Sequence, residues 1–415
     1  MLKVLQPPRI RTPTERKRLL LVVCFAVFVA YVVLVAAGID QQHPPDFAAF
    51  YTVARALRLG GLGAAHRMYS LSFQIAAGRI LRGGRQGEFL DPFVNPPTAA
   101  WVVIPFTTLP LHQAFLTWDS LCLVLLVAGT FWLARLELPG RDATLVAVAA
   151  LACYPSYLAL GKGQYDLLWP ICLALFTSAL RVPSVRLWLP RCAAAVFVFT
   201  FKPDLLIALI VPAVRRWRDP VVRAAFACLA AISVIAFITI GFSGLLNAFH
   251  LERYTLLNRF PPTLDTTVMG FLWHVVGPGH LSEELAAASI LVAVAWLGWA
   301  WWRNPPNSPG EWRFAITSAV CLSLLIAPHA LSHSLVLLVG PVIWVARGLR
   351  ELHRSLWILA GWILLFNAVI LLSTTPRLTL PFPPMPILLL VATICAWRAR
   401  GRAQTVVPMT PAASA

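Results

Sequence analysis

Residues 19–38 read LLLVVCFAVFVAYVVLVAAG, an uninterrupted apolar run. About 20 such residues cross the hydrocarbon core of a bilayer as a helix. Arg9, Arg11, Arg16, Lys17 and Arg18 precede the run, and no small-residue cleavage site follows it. That pattern predicts a signal anchor that stays in place with its N-terminus in the cytoplasm. Soon after it comes His43-Pro44-Pro45-Asp46-Phe47-Ala48-Ala49-Phe50-Tyr51. Asp46 therefore stands at the outer mouth of a membrane core, where a carboxylate is a candidate general base. Two prolines before it and an amphipathic stretch after it also suit an N-cap, and one carboxylate can fill both roles.

The rest of the chain extends the first reading. Hydrophobic residues make up 59 % of the 415 positions and charged residues 12 %. Mean hydropathy is +0.75. A soluble domain carries roughly twice that charged fraction. The apolar runs are continuous and not alternating, so the fold is all-α and polytopic, and a β-barrel is excluded. Candidate spans lie near 19–39, 97–134, 142–160, 165–181, 189–214, 220–240, 286–302, 314–330, 333–348, 355–374 and 385–397. With one of the two awkward stretches counted double, about 12 crossings result, given roughly 20 residues for each.

Charge sets the orientation. Lysine and arginine outnumber acidic residues 34 to 17. The arginines are scattered between spans, without the clustering and interleaved aromatics that nucleic acid requires. Cytoplasmic retention of short loops and contact with anionic lipid or phosphate account for them. Arg215, Arg216, Arg218, Arg347, Arg350 and Arg354 then fall inside. If 97–134 crosses once, Arg135 and Arg141 fall inside too, and Gly163-Gln164-Tyr165-Asp166 faces outside. The rival splits 97–134 into two spans; the positive-inside count favours the first.

Two long external loops follow, 40–96 and 241–285. In the first, Phe47, Phe50, Tyr51, Ala54 and Leu57 share one helical face and Arg55 and Arg58 lie off it, which predicts a helix in the membrane interface. Gly60-Gly61 should end it. Residues 1–403 form one transmembrane domain, and 404–415 read as a disordered tail. The eight cysteines all lie in apolar segments without CxxC spacing. They read as small buried hydrophobes, with no disulfide framework and no metal site.

No Walker loop, GxGxxG, HExxH or GxSxG motif is present, which removes the basis for ATP, dinucleotide and protease chemistry. The polar residues gather at one membrane face. His329 and His333 are four apart, a spacing that puts them on one face of a helix. With no third ligand nearby, a phosphate oxygen suits them better than a metal. Lys202 sits in an apolar stretch, and a lysine at membrane depth costs about 2.5–3.5 kcal/mol on insertion scales, so it marks function by default. Gln164 and Asp166 form a polar helix start after Gly161 and Gly163.

At this point the chain resembles the family 87 glycosyltransferases, the polyprenyl-phosphate-mannose-dependent mannosyltransferases and their bacterial relatives. The residues that carry the resemblance run in order along the chain. They are Asp46-Phe47 with Tyr51, Gly60-Gly61, Met68-Tyr69, Asn95-Pro96-Pro97 with Pro105, Leu109-Pro110, Gly163-Gln164, Lys202-Pro203, and Pro328-His329 with His333. The resemblance implies the GT-C fold in the cell membrane, with an active site open to the exterior. It implies Asp46 as catalytic base and His329 or His333, with Lys202, at the donor phosphate. Tyr51, Tyr69, Asn95, Gln164 and Asp166, with the external Arg253 and Arg259, are the expected substrate contacts. The implied partners are the lipid bilayer, a polyprenyl-phosphate sugar donor and a lipid or glycan acceptor, with no cofactor and no metal. A transporter or flippase for a lipid-linked anion is the different-class alternative. It should show broken helices in both halves and a repeat, and no repeat is visible.

Overall fold

The computed structural model describes residues 13–38, 45–81, 92–181, 214–215, 217–218, 220–258, 267–306, 308–327 and 332–351. Among the described residues all regular elements are helical. The apolar anchor forms helix α1 (Pro13–Gly38). Val22, Phe25, Val33 and Leu34 on it stay exposed, as a lipid-facing surface requires. Lys17 Nζ donates to Asp142 Oδ1 at 3.0 Å, which ties the start of α1 to the beginning of a later helix.

The stretch 97–137 contains one crossing and not two. Helix α4 (Pro97–Val103) and a 3-10 turn (Ile104–Thr108) are each too short to span. Pro105 opens the 3-10 turn and Pro110 precedes the next helix. Proline removes a donor and fixes φ, so it fits helix starts and breaks continuity elsewhere. Helix α5 (Leu111–Glu137) then crosses, as one of the helices long and apolar enough to do so. Helices α6 (Gly140–Leu151) and α7 (Tyr154–Lys162), bent 56° at the break before Pro155, return to the outer face. A second 3-10 turn (Tyr165–Leu168) leads into α8 (Trp169–Arg181), which packs on α5. At Gly129 of α5 a Cβ would stand 2.3 Å from the Ile171 backbone nitrogen. A small residue there lets two membrane helices approach backbone to backbone.

Helix α9 (Pro220–Asn258) breaks at Gly241 (φ 68, ψ 175), where the span expected over 220–240 ends. His66 Nδ1 donates to the Ile240 carbonyl at 3.1 Å and occupies the space beside that glycine. The stretch expected as a long loop from 241 is therefore largely helical where described: the outer part of α9, then α10 (Val268–Val276) and the start of α11 (His280–Arg303). Helix α12 (Pro309–Ile326), a third 3-10 segment (Ser332–Leu338) and α13 (Val339–Glu351) complete the described chain. Among the described residues α1, α5, α9 and α11 are long and apolar enough to span, and the α6–α7 pair makes a fifth. The spans expected at 189–214, 355–374 and 385–397, and the tail 404–415, lie outside the described residues.

Helices α2 (Pro45–Ala65) and α3 (Leu71–Leu81) fill the first external segment. Phe47, Phe50, Tyr51, Ala54 and Leu57 are buried, and so are Ala48, Ala49, Thr52 and Val53 on the other sides. The first half of α2 is thus enclosed by protein. It packs against α3, α4, the first 3-10 turn and α9, elements whose approach no local pattern in 40–65 announces. Exposure begins with Arg58 and Leu59, and Gly61 (φ 53) breaks the helix where the glycine pair predicted an end. Cys24, Cys122, Cys153, Cys172 and Cys321 are buried thiols as expected, whereas Cys228 is exposed on α9.

Candidate active site

Asp46 is the second residue of α2, inside its first turn and not at the N-cap expected for it. The carboxylate still gains from the positive end of the helix dipole. Its Oδ2 accepts a hydrogen bond from Gln164 Nε2 at 2.5 Å. Lys162 Nζ lies 3.5 Å from the same oxygen. Oδ1 has no partner among the described residues. The Asp46 side chain is 14 % exposed and that of Lys162 29 %, so the group is sheltered yet open on one side.

The turn that delivers Gln164 is built from its own sequence. Gly163 takes the left-handed conformation (φ 68, ψ 37) at the end of α7. Its N–H donates to Leu160 O and that of Gln164 to Ala159 O, both at 3.0 Å. These are the two bonds of a Schellman C-cap. A Cβ on Gly163 would lie 2.9 Å from Phe47 Cβ and from Phe115 Cε2, so glycine is required by space as well as by φ. Trp118 Nε1 donates to Gly163 O at 2.7 Å and fastens the turn to α5. The Phe47 ring packs on Phe115 and Trp118 at centroid distances of 5.5 and 6.3 Å. Asp46 and Gln164 thus stand on one aromatic platform.

A second layer holds the Asn95 segment. Gln74 Nε2 donates to Met68 O and Phe93 O, and its Oε1 accepts from Phe93 N–H. Tyr69 donates to Asn95 O at 2.7 Å, and Tyr165 donates to Asn95 Oδ1 at 2.6 Å. Tyr51 donates to Leu109 O at 2.6 Å. Tyr51 and Tyr69 are buried, with their hydroxyls committed to backbone carbonyls. Burial, and secondarily the charge of Glu252, holds the Tyr69 phenol well above its ordinary value, so it remains a donor. Both hydroxyls brace the backbone around the site. Asn95 differs: its amide nitrogen has no partner among the described residues.

The chain matches the model of Glycosyltransferase family 87 over residues 93–328, more than half its length. It belongs to glycosyltransferase family 87. No curated protein matches it, and no solved structure does. The matched stretch of this family 87 enzyme carries Asn95, Lys162, Gly163 and Gln164. Asp46 precedes the stretch, and His329 and His333 follow it.

The remaining expected residues of the transferase divide sharply. His333 is buried in the third 3-10 segment, which packs along α7 and the turn after it, beside the Asp46 cluster. It does not continue α12, which ends at Ile326 with Ala327 in extended geometry. Asp166 is buried in the 3-10 turn after Gln164. Arg253 is exposed on the outer part of α9. Lys202, Arg259 and His329 lie outside the described residues.

Lys162 and Trp118 are the two site residues that the sequence reading does not single out. For Lys162 the available signal is the one that marks Lys202, a lysine in apolar surroundings beside a helix break. For Trp118 no local signal exists, because its partner Gly163 is distant in sequence.

At the opposite end of α5 lies a second polar cluster. Arg313 Nε of α12 reaches Glu137 Oε1 at 2.8 Å, and Arg347 of α13 pairs with Oε2. The Glu137 side chain is fully enclosed. It joins α5, α12 and α13.

Proposed function

We propose that this family 87 enzyme transfers a hexose, mannose in the first instance, from a polyprenyl-phosphate donor to a hydroxyl acceptor at the external face of the cell membrane. The carrying observation is the state of Asp46: Oδ2 is held by Gln164, while Oδ1 has no partner among the described residues. A general base needs this arrangement, one oxygen fixed and the other free to meet the hydroxyl.

The acceptor oxygen attacks the anomeric carbon as its proton passes to Asp46 Oδ1. The bond from that carbon to the phosphate oxygen breaks, and polyprenyl phosphate leaves from the opposite side. The anomer is inverted, so a β-linked donor yields an α-glycoside. Asn95 is suited to orient a sugar hydroxyl through its amide. His329, His333 and Lys202 are assigned to the donor phosphate, and Arg253 and Arg259 to the acceptor or headgroup side. The leaving lipid phosphate carries less charge than a nucleoside diphosphate, so the step is written without a metal.

The test is transfer from polyprenyl-phosphate mannose by purified full-length enzyme in lipid nanodiscs. Asp46→Asn should lower turnover by about 10²–10⁴-fold, the usual worth of a general base. Turnover within a few-fold of wild type in a folded variant refutes the base assignment.

A further inference from the structure

We propose that Lys162 is a donor-phosphate ligand, held against Asp46 until the donor arrives and then exchanged onto the phosphate. The proposal rests on the reading of Asp46 as base and adds a residue and an order of events to it.

Lys162 makes few contacts among the described residues. Its single interaction among the described residues is the 3.5 Å approach to Asp46 Oδ2, an ion pair too long for a hydrogen bond. An ammonium has three N–H donors, and among the described residues none of them makes a hydrogen bond. The residue is the last of α7, at the negative end of that helix dipole, which favours a cation there. The Lys162 stem reaches the same carboxylate oxygen that takes the short bond from Gln164, just past the turn at Gly163. Gln164 already positions Asp46, so the lysine is not needed for that task. A flexible four-carbon stem with a compact charge suits a group that changes partners.

The chemistry supplies the new partner. The donor is a phosphodiester with one negative charge, and its departure as a monoester raises that charge while the acceptor proton moves to Asp46. A cation that leaves Asp46 for the phosphate serves both halves of the step. It neutralises the leaving group where charge develops. It also leaves the carboxylate with the neutral amide of Gln164 as its remaining partner just when a proton must be accepted. The third 3-10 segment, which carries His333, packs along α7, the helix that ends in Lys162.

A binding experiment separates this proposal from the base assignment, because it needs no turnover. Farnesyl phosphate is titrated against full-length protein in nanodiscs. Asp46→Asn removes the competing carboxylate charge, so it should bind farnesyl phosphate about three- to tenfold more tightly than wild type, the scale of a partly exposed ion pair. Lys162→Met should bind it more weakly than wild type. In the double variant the gain from Asp46→Asn should vanish. Lys162→Arg, which keeps the charge, should retain phosphate binding and guards against a folding defect in the methionine variant. Unchanged affinity in Asp46→Asn, or a gain that persists without the lysine, overturns the proposal even if Asp46 proves to be the base. Conversely, the full binding pattern with normal turnover in Asp46→Asn sustains the lysine and removes the base.

Discussion

Asp46 and Glu137 are both carboxylates beside basic side chains, at opposite ends of the fold, and they differ in how completely they are satisfied. Glu137 is enclosed and has a guanidinium on each oxygen. Asp46 is partly open, with one oxygen held by Gln164, a loose lysine beside it and no partner for the other oxygen among the described residues. A buried charge with full pairing is costly to disturb and has nothing left to offer a substrate. A sheltered charge with an open valence can act. Local composition does not separate the two, since each is an acidic residue at the end of an apolar stretch.

Exchanging the readouts should break this contrast or sharpen it. The largest expected effect is catalytic: Asp46→Asn loses about 10²–10⁴ in turnover, while its thermal unfolding midpoint in detergent stays close to wild type. Glu137→Ala should do the reverse. Stranding two arginines costs about 3–5 kcal/mol, seen as a large drop in unfolding midpoint. If Glu137→Ala instead keeps its midpoint and loses turnover, the division of roles is wrong.

Gly163→Ala comes next. The left-handed φ and the 2.9 Å contacts with Phe47 and Phe115 must both be relieved. That costs about 1–3 kcal/mol in stability and should lower turnover further by displacing Gln164. Gln164→Ala should leave stability nearly unchanged and lower turnover about tenfold, the scale of one hydrogen bond to a charged group. Steady-state kinetics beside a melting curve distinguish the two variants. The smallest effect belongs to Lys17→Ala. Its pair with Asp142 is 42 % exposed on the lysine side, and such surface pairs are worth about 0–1 kcal/mol.

Much of the architecture was legible in the chain. Apolar run length marks α1, α5, α9 and α11, because crossing a bilayer imposes a length and a composition on each helix by itself. Pro105, Pro110 and Gly241 mark breaks through backbone chemistry alone. Asp46 and Gln164 stood out as polar residues where the membrane core ends. His333 lies in a 3-10 segment and not in an α-helix, and the first half of α2 is covered by other elements that no local pattern announces.

What the amino-acid sequence by itself determined is an all-helical chain with helices long and apolar enough to span a membrane, and a short roster of polar residues that interrupt the apolar runs. Each follows from hydropathy, charge or backbone restrictions that act locally. What only the tertiary structure decided is which of those residues meet. Asp46 and Gln164 are 118 positions apart, Trp118 and Gly163 are 45 apart, and Arg347 and Glu137 are 210 apart. Such pairings depend on how whole helices pack, at contacts like the close approach at Gly129, and no window of sequence contains both partners. That is why Lys162, one residue from the glycine turn, gains its meaning only when α2 and α7 are brought together.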